Sequence, residues 1–526
     1  MDTKALRQKI LGLAIRGKLV PQDPNDEPAS VLLERIRAEK QQMVKDGKLK
    51  PKDIKNDTII FVGEDNLHYE KFQNGSVKCI EDEIPFEVPK GWEWCRVRDI
   101  AAVKGGKRLP KGVGFSPCRT AHAYIRVTDM KNHSINTDDL KYISEEVFLQ
   151  IKNYTISKDD LYVTIAGTIG VTGEVPTELD GMNLTENAVK ITNIQINKTY
   201  LCLIIQSEFV QQQFQDKTHQ VAMPKLALER ILSTLIPVCT ITTQSAMVSK
   251  FVEMDSLINQ IREEKEILAE TVSLTKSKIL DLAIRGQLVP QDPNDEPALV
   301  LLERIRAEKE ELIKAGKIKR DKKESIIFRG EDNSYYQQTG TLIENINDWN
   351  LDDIPINWEL CCLGEICDYG NCVNVDTKDI DEEAWVLDLE DIEKDSGKVI
   401  HKIRKYERDS SSTKHLFKKG QVLYSKLRPY LNKVVLADEE GFCTSEILPL
   451  NFSNVVEPQY ALYYLMSPTF LKYANRCSYG VKMPRLGTAD GRKAVFPLPP
   501  FEEQRRISQH ISKIFIEIDN ISNMLL

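Results

Sequence analysis

Apolar positions recurring in alternating steps of four and three mark three stretches of this chain as amphipathic helices. From Met254 the pattern runs through Ile258, Ile261, Leu268, Val272, Ile279 and Leu282, with Lys265 and Thr275 filling the gaps. Such a seam predicts one coiled-coil helix of about forty residues, ~60 Å long at 1.5 Å per residue. The spacing returns at Ile507, Ile511, Ile514, Ile518, Ile521 and Leu525, and at Leu6, Ile10 and Leu13. Between these helices the pattern changes. "DDLYVTIAGTIGVTG" from Asp159 and "GQVLYSKLRPYLNKVVLA" from Gly420 read as strand, Gly- or Pro-marked turn, strand. "YLCLIIQSEFVQQQF" from Tyr200 and "QYALYYLMSPTFLKYA" from Gln459 each read as one helix.

The same residues recur across the chain. "AIRGKLVPQDPNDEPASVLLERIRAEK" from Ala14 returns as "AIRGQLVPQDPNDEPALVLLERIRAEK" from Ala283, and Lys9–Lys45 matches Lys278–Lys314 at 30 of 37 positions. "IIFVGEDN" (Ile59–Asn66) answers "IIFRGEDN" (Ile326–Asn333), and "VPKGWEWC" (Val88–Cys95) answers "IPINWELC" (Ile354–Cys361). Further on, a register of 260 sets "VAMPKL" (Val221–Leu226) on "VKMPRL" (Val481–Leu486) and Gln244 on Gln504. Leu526 then corresponds to Glu266, and Met1, at the first register of 269, to Glu270. The C-terminal helix therefore copies the start of the central helix, and the N-terminal segment copies its continuation. The chain reads as a cyclic two-fold repeat cut open inside one of two long helices. The expected fold is α+β: two globular α/β domains with mostly antiparallel sheets, separated by two long antiparallel coiled-coil helices with pseudo-two-fold symmetry. The boundaries are a helical region at 1–50, a variable domain at 89–243, a central helical region at 244–320, a second variable domain at 355–500 and a distal helix at 501–526.

Length and composition agree with several ordinary domains: 526 residues, 41% apolar and 29% charged. No run approaches the ~18–20 apolar residues of a membrane span, and the N-terminus lacks the apolar stretch of a secretion signal. Eleven scattered cysteines suit a reducing cytoplasm. The group Cys361, Cys362, Cys367 and Cys372 lacks zinc spacing.

A net charge of −8 argues mildly against nucleic acid, but the distribution of charge points the other way. Lys104, Lys107, Arg108, Lys111, Arg119 and Arg126 fall in a stretch without acids, as do Lys414, Lys418, Lys419, Lys426, Arg428 and Lys433. A third run, Lys472, Arg476, Lys482, Arg485, Arg492 and Lys493, is opposed only by Asp490. Tyr424, Tyr430, Tyr473 and Tyr479 are interleaved with the basic residues. Basic loops on a sheet domain suit phosphate contact and base-edge reading. The candidate DNA contacts are Lys104, Lys107, Arg108 and Lys225 in the first domain and Lys426, Arg428, Lys482 and Arg485 in the second. Lys225 and Arg485 share a repeat position.

No catalytic pattern accompanies them. "KGGKRLPKG" (Lys104–Gly112) has the wrong spacing for a phosphate loop. "LPPF" (Leu498–Phe501) is near the N-P-P-F of amino-methyltransferases, but Leu498 lacks the polar group such a site needs. The seven histidines have neither metal nor triad spacing.

The duplicated segment and "PLPPFEEQRRISQHI" (Pro497–Ile511) resemble the DNA-specificity subunit of type I restriction-modification systems over the whole chain. The first copy of the proline motif departs from the pattern, reading "IPVCTITTQSAM" (Ile236–Met247). The resemblance implies a non-catalytic subunit in which each variable domain is a target-recognition domain reading half of a bipartite site. It implies double-stranded DNA, two methyltransferase subunits and restriction-translocase subunits as partners, in the cytoplasm and without a membrane. This chain would carry no cofactor; S-adenosylmethionine, ATP and Mg2+ would belong to the partners. The repeated segments would grip the methyltransferases, with Pro21, Glu34 and Arg35 in one copy and Pro290, Glu303 and Arg304 in the other. The competing reading is a coiled-coil adaptor whose basic domains bind protein or RNA.

Overall fold

The chain divides into two units, Met1–Glu263 and Glu264–Leu526, in a computed structural model that describes residues 2–216, 225–316, 324–349, 351, 354–408 and 412–525. Val221–Pro224 of "VAMPKL" and the end of the expected central region, 317–320, lie outside the described residues.

The first unit opens with α1 (Thr3–Ile15), where Asp2 accepts from the amides of Lys4 and Ala5 as an N-cap that satisfies two orphan donors. After the proline-rich loop, α2 (Ala29–Lys45) buries Leu32, Leu33 and Ile36. A meander follows, β1 (Thr58–Val62), β2 (His68–Phe72) and β3 (Val77–Cys79). The variable domain contains β4 (Glu93–Arg96), β5 (Ala102–Gly105), β6 (His122–Ile125), β7 (Lys141–Ile143), β8 (Thr155–Ile156), β9 (Leu161–Thr164), β10 (Thr172–Glu174), β11 (Met182–Leu184), β12 (Ala188–Thr192) and β13 (Leu235–Val238). Two four-stranded sheets form, ordered β10-β9-β12-β5 and β8-β11-β6-β7, and β4 pairs with β13. Only β6 and β11 run parallel within them. Helices α3 (Lys198–Gln206) and α4 (Glu208–Asp216) follow β12. The unit ends within α5 (Ile241–Ile284), an unbroken helix of 44 residues.

The second unit repeats this plan. Helix α6 (Ala298–Lys314) precedes the meander β14 (Ser325–Arg329), β15 (Tyr335–Thr339), β16 (Leu342–Asn345). The variable domain holds β17 (Glu359–Cys362), β18 (Val373–Val375), β19 (Trp385–Leu387), β20 (Ile403–Arg404), β21 (Lys414–Phe417), β22 (Val422–Ser425), β23 (Val434–Leu436), β24 (Gly441–Thr444) and β25 (Ile447–Leu450). It continues through α7 (Pro458–Met466), α8 (Pro468–Arg476), β26 (Ser478–Tyr479), β27 (Arg485–Leu486) and β28 (Val495–Leu498) to α9 (Phe501–Leu525). Its sheets run β18-β21-β24-β19-β20 and β23-β22-β25, with β17 paired to β28 and β26 to β27. The parallel pair recurs as β19 and β24. The 260-residue register holds in the core as well: Tyr200 donates to the Pro237 carbonyl at 3.1 Å, and Tyr460 to that of Pro497 at 2.9 Å.

In each unit α5 runs antiparallel to a terminal helix. In the first, Arg7 pairs with Asp255, while Asp26, beyond the end of α1, accepts from Thr240 and Thr243 at the start of α5. In the second, Lys276 pairs with Asp519, while Asp295, beyond the end of α5, pairs with Arg506 near the start of α9. The partner number falls as the residue number rises in both. The expected seam needs correction at its ends. Leu13, Ile521 and Leu525 are 38%, 58% and 59% exposed. In α9 Ile507 and Ile511 are buried, half-buried Phe515 joins Ile514 at the next turn, and Ser522 is buried where Ile521 was expected, because a 3.6-residue helix drifts off a strict heptad.

The single helix expected from Tyr200 and from Gln459 is also corrected, to two in each stretch. Ser207 and Ser467 leave the helical region with ψ of 146° and 151°. Ser467 accepts from the Phe470 amide ahead of Pro468, the combination that starts a new helix. Among the described residues no helix is long and apolar enough to cross a membrane.

Candidate nucleic-acid interface

In the first unit three of the four candidate cations gather at one turn. The segment after β5 lies flat on the β11–β12 turn, with the Gly106 amide on Ala188 O at 3.1 Å and the Lys107 amide on Leu184 O at 2.9 Å. A Cβ on Gly106 would stand 2.0 Å from Thr185 O, so the approach requires glycine. That explains Gly106 inside the basic run. The turn presents Glu186, whose Oε1 accepts from Arg108 Nε at 2.6 Å and whose carbonyl accepts from Lys225 Nζ at 3.2 Å. The Tyr124 hydroxyl lies 2.7 Å from Lys107 O and 3.3 Å from Glu186 Oε2, and Lys107 Nζ sits 5.4 Å from the Tyr154 ring centre. Partial burial pushes the Glu186 pKa up, but the Arg108 pair and local hydrogen bonds outweigh it and hold the group below its ordinary value. Arg108, Phe115, Tyr124, Thr128, Glu186 and Asn187 help line an open hollow of about 400 Å³ beside the cluster. Lys104 does not join it. It faces Lys190 across the β5–β12 ladder and lines a separate hollow with Lys48, Lys52 and Arg98.

The second unit builds the same centre from different residues. Glu446, in the β24–β25 turn, takes Arg485 Nε at 3.1 and 3.0 Å and Nη2 at 2.7 Å, while Nη1 donates to Met483 O at 3.2 Å. This ion pair holds the Glu446 pKa below its ordinary value. The Lys426 amide donates to Glu446 O and the Leu486 amide to Lys426 O, both at 3.0 Å, and the Arg428 amide to Pro484 O at 2.7 Å. Arg428 and Asn432 bracket a short turn with φ of 49° and 46°. Such left-handed conformations cost non-glycine residues ~1–3 kcal/mol and persist where surrounding bonds impose them. Here the Pro484 carbonyl and a 3.2 Å bond from Asn432 Nδ2 to Met466 O do so. Lys482 is exposed at the tip of the β26–β27 hairpin, beside exposed Tyr479, Val481 and Met483.

Glu186 and Glu446 were not found from sequence, because a search for basic, acid-free runs passes over an acid. The signal was available in the register, for the two glutamates are 260 residues apart, as are Lys225 and Arg485.

The duplicated segment divides into joints and an open face. Half-buried Gln22 accepts from Trp92 Nε1 at 2.8 Å in one copy, and exposed Gln291 donates to Glu503 at 2.6 Å in the other. Pro21, Glu34, Arg35, Pro290, Glu303 and Arg304 are all exposed. Arg35 pairs with Glu27, and Arg304 with Glu296 at 2.7 Å.

The proline motif is likewise a joint. Gln504, fully buried, accepts from the Glu457 amide at 2.8 Å and donates to Val455 O at 3.1 Å and Pro499 O at 2.9 Å. Gln244 repeats two of these three bonds, accepting from the Asn197 amide at 2.8 Å and donating to Cys239 O at 2.7 Å. Among the described residues no cluster of His, Cys, Asp and Glu could hold a metal ion, and burial pushes the Cys361, Cys362 and Cys367 thiols up.

Comparison with known proteins places these domains. The family model of the type I restriction modification DNA specificity domain matches residues 89–270 and 355–525. The specificity subunit of the type I restriction enzyme EcoEI of Escherichia coli is 28% identical over 69% of this chain, which spans 61% of that protein. The EcoAI specificity subunit of the same organism is 26% identical over 97% of this chain and 88% of its own length. A solved structure described as the basis of complex assembly and conformational transition of the type I R-M system superposes with a TM-score of 0.51 at 16% identity. It covers 84% of this chain and 94% of that one.

Proposed function

Because the chain belongs to the family of type I restriction-modification DNA specificity proteins, we propose that it is the subunit that reads a bipartite duplex site and brings partner methyltransferase and restriction subunits to it. Each variable domain contacts one half of the site through the cations around Glu186 or Glu446. One observation carries this reading: two domains of diverged sequence build the same charged centre at the same register. A shared scaffold with different surrounding side chains is what two readers of different sequences require, since phosphate contacts position and base-edge contacts specify.

The open face of the duplicated segment supports two copies of one methyltransferase. Glu34 and Arg35 match Glu303 and Arg304 although they are exposed and the core beneath them needs only Leu32, Leu33, Ile36 and their counterparts. S-adenosylmethionine, ATP and Mg2+ then belong to the partners, and the assembly works where the chromosome is, in the cytoplasm.

The test is a methylation map. Co-expression with the companion methyltransferase subunit in a methylation-free host is expected to give one two-part motif with a fixed spacer. A stable complex that leaves no motif would favour the adaptor reading instead. Within a motif-forming complex, Arg485→Ala should weaken binding to the cognate duplex by roughly 10- to 100-fold, the ~1–3 kcal/mol of a base contact. Unchanged affinity and an unchanged salt dependence would exclude Arg485 from the interface.

A further inference from the structure

The DNA-reading function leaves an acid unexplained at the centre of each basic cluster, where it weakens the attraction for a polyanion. We propose that Glu446 and Glu186 are positioning residues, each holding a base-reading cation of its own domain in a fixed orientation before DNA arrives. The inference rests on the proposed function and deepens it.

The second unit shows the arrangement fully. A free arginine carries rotamer freedom that it must lose on contact. Glu446 removes that freedom in advance by taking Nε and one N–H of Nη2, and Met483 O takes one N–H of Nη1. Three of the five N–H groups have partners among the described residues, leaving one on each terminal nitrogen. Free donors of this kind are what base-edge acceptors such as guanine O6 and N7 take. The Arg485 side chain is 33% exposed and the Glu446 side chain 24%, so the pair sits at the rim with the cation outermost.

In the first unit Glu186 holds Arg108 through Nε, the same inner edge, and its side chain is 23% exposed against 79% for the arginine. The cation comes from the loop after β5 in the first domain and from β27 in the second, but the acid does not move. Its neighbours Leu184, Thr185 and Asn187 become Thr444, Ser445 and Ile447, so the glutamate is retained while the rest of the turn changes.

A clamp that only fastened the β26–β27 hairpin would explain the Arg485 pair, and the two roles separate in the methylated motif. Glu446→Gln and Glu186→Gln keep size and remove charge. Each is made in the full chain, complexed with its methyltransferase subunit, and mapped in the methylation-free host. With Glu446→Gln the spacer and one half of the motif should persist, while one base pair of the other half becomes degenerate. Discrimination there should fall about tenfold or more, the effect of loosening one bidentate contact. Glu186→Gln should degrade the opposite half. An unaltered motif in both variants, or uniformly weaker methylation with no change of sequence, overturns the proposal. A wild-type complex that yields no two-part motif would instead refute the DNA-reading function itself.

Discussion

Replacing Gln504 by Leu is expected to destabilise the chain by about 4 kcal/mol, although the side chains are similar in size. Gln504 is fully buried, and its amide satisfies one backbone N–H and two backbone carbonyls at the point where the variable domain meets α9. Leucine leaves all three without a partner, and each buried orphan costs roughly 1–3 kcal/mol. The Glu457 amide is the one of the three that reaches α7. It lies beside the N-terminus of α7, where Glu457 accepts from the Tyr460 amide and from Ser508 Oγ of α9. The joint therefore fixes the helix that underlies the recognition domain onto the long helix. Gln244→Leu should cost less, about 3 kcal/mol, since Gln244 ties the Asn197 cap of α3 to α5 but satisfies two groups instead of three. Urea unfolding of both variants measures the loss. A cost below about 1 kcal/mol in both would mean that the freed groups find other partners, and the joint would not be what holds the domain.

The register that found this pair in the sequence did not reveal its purpose. Period and repetition are properties of single residues along the chain, so the long helices, the two-fold repeat and the pairing of Gln244 with Gln504 could be read from sequence. The candidate site was legible only in its cations. Lys107, Arg108 and Lys225 gather at one place because Gly106 lets two segments touch, and contact between distant segments leaves no trace in local pattern. Lys104 lies two residues before Gly106 in the same run, yet its position on β5 carries it to a different hollow. The broken helices at Ser207 and Ser467 had the opposite fault. Their apolar pattern continues across the break, and only capping chemistry at one serine and one proline marks it.

The buried charge of the first unit allows the sharpest comparison between the halves. Arg96 donates to Glu70 at 3.1 and 2.9 Å, to Glu83 at 2.8 Å and to Ser233 O at 3.0 Å, and its side chain and that of Glu70 are 5% and 7% exposed. At the equivalent place in the second unit the charges are gone. Cys362 replaces Arg96 and Gln337 replaces Glu70, as the matching ladders of β4 with β13 and β17 with β28 require. Gln337 there donates to Cys362 Sγ at 3.1 Å and to Lys493 O at 2.8 Å. Arg96→Cys alone should therefore cost about 3–5 kcal/mol, because it strands a buried glutamate. Arg96→Cys with Glu70→Gln should recover most of that loss, since the double variant copies a neutral solution the same fold already contains. Glu83 keeps its 2.8 Å bond to Lys78 and is 36% exposed, so it can be solvated when Arg96 leaves. A double-mutant cycle by urea unfolding is expected to show a coupling of about 2 kcal/mol or more between the two positions. A double variant as unstable as the single one would show that the packing of the arginine stem, and not its charge, is what the first unit needs there.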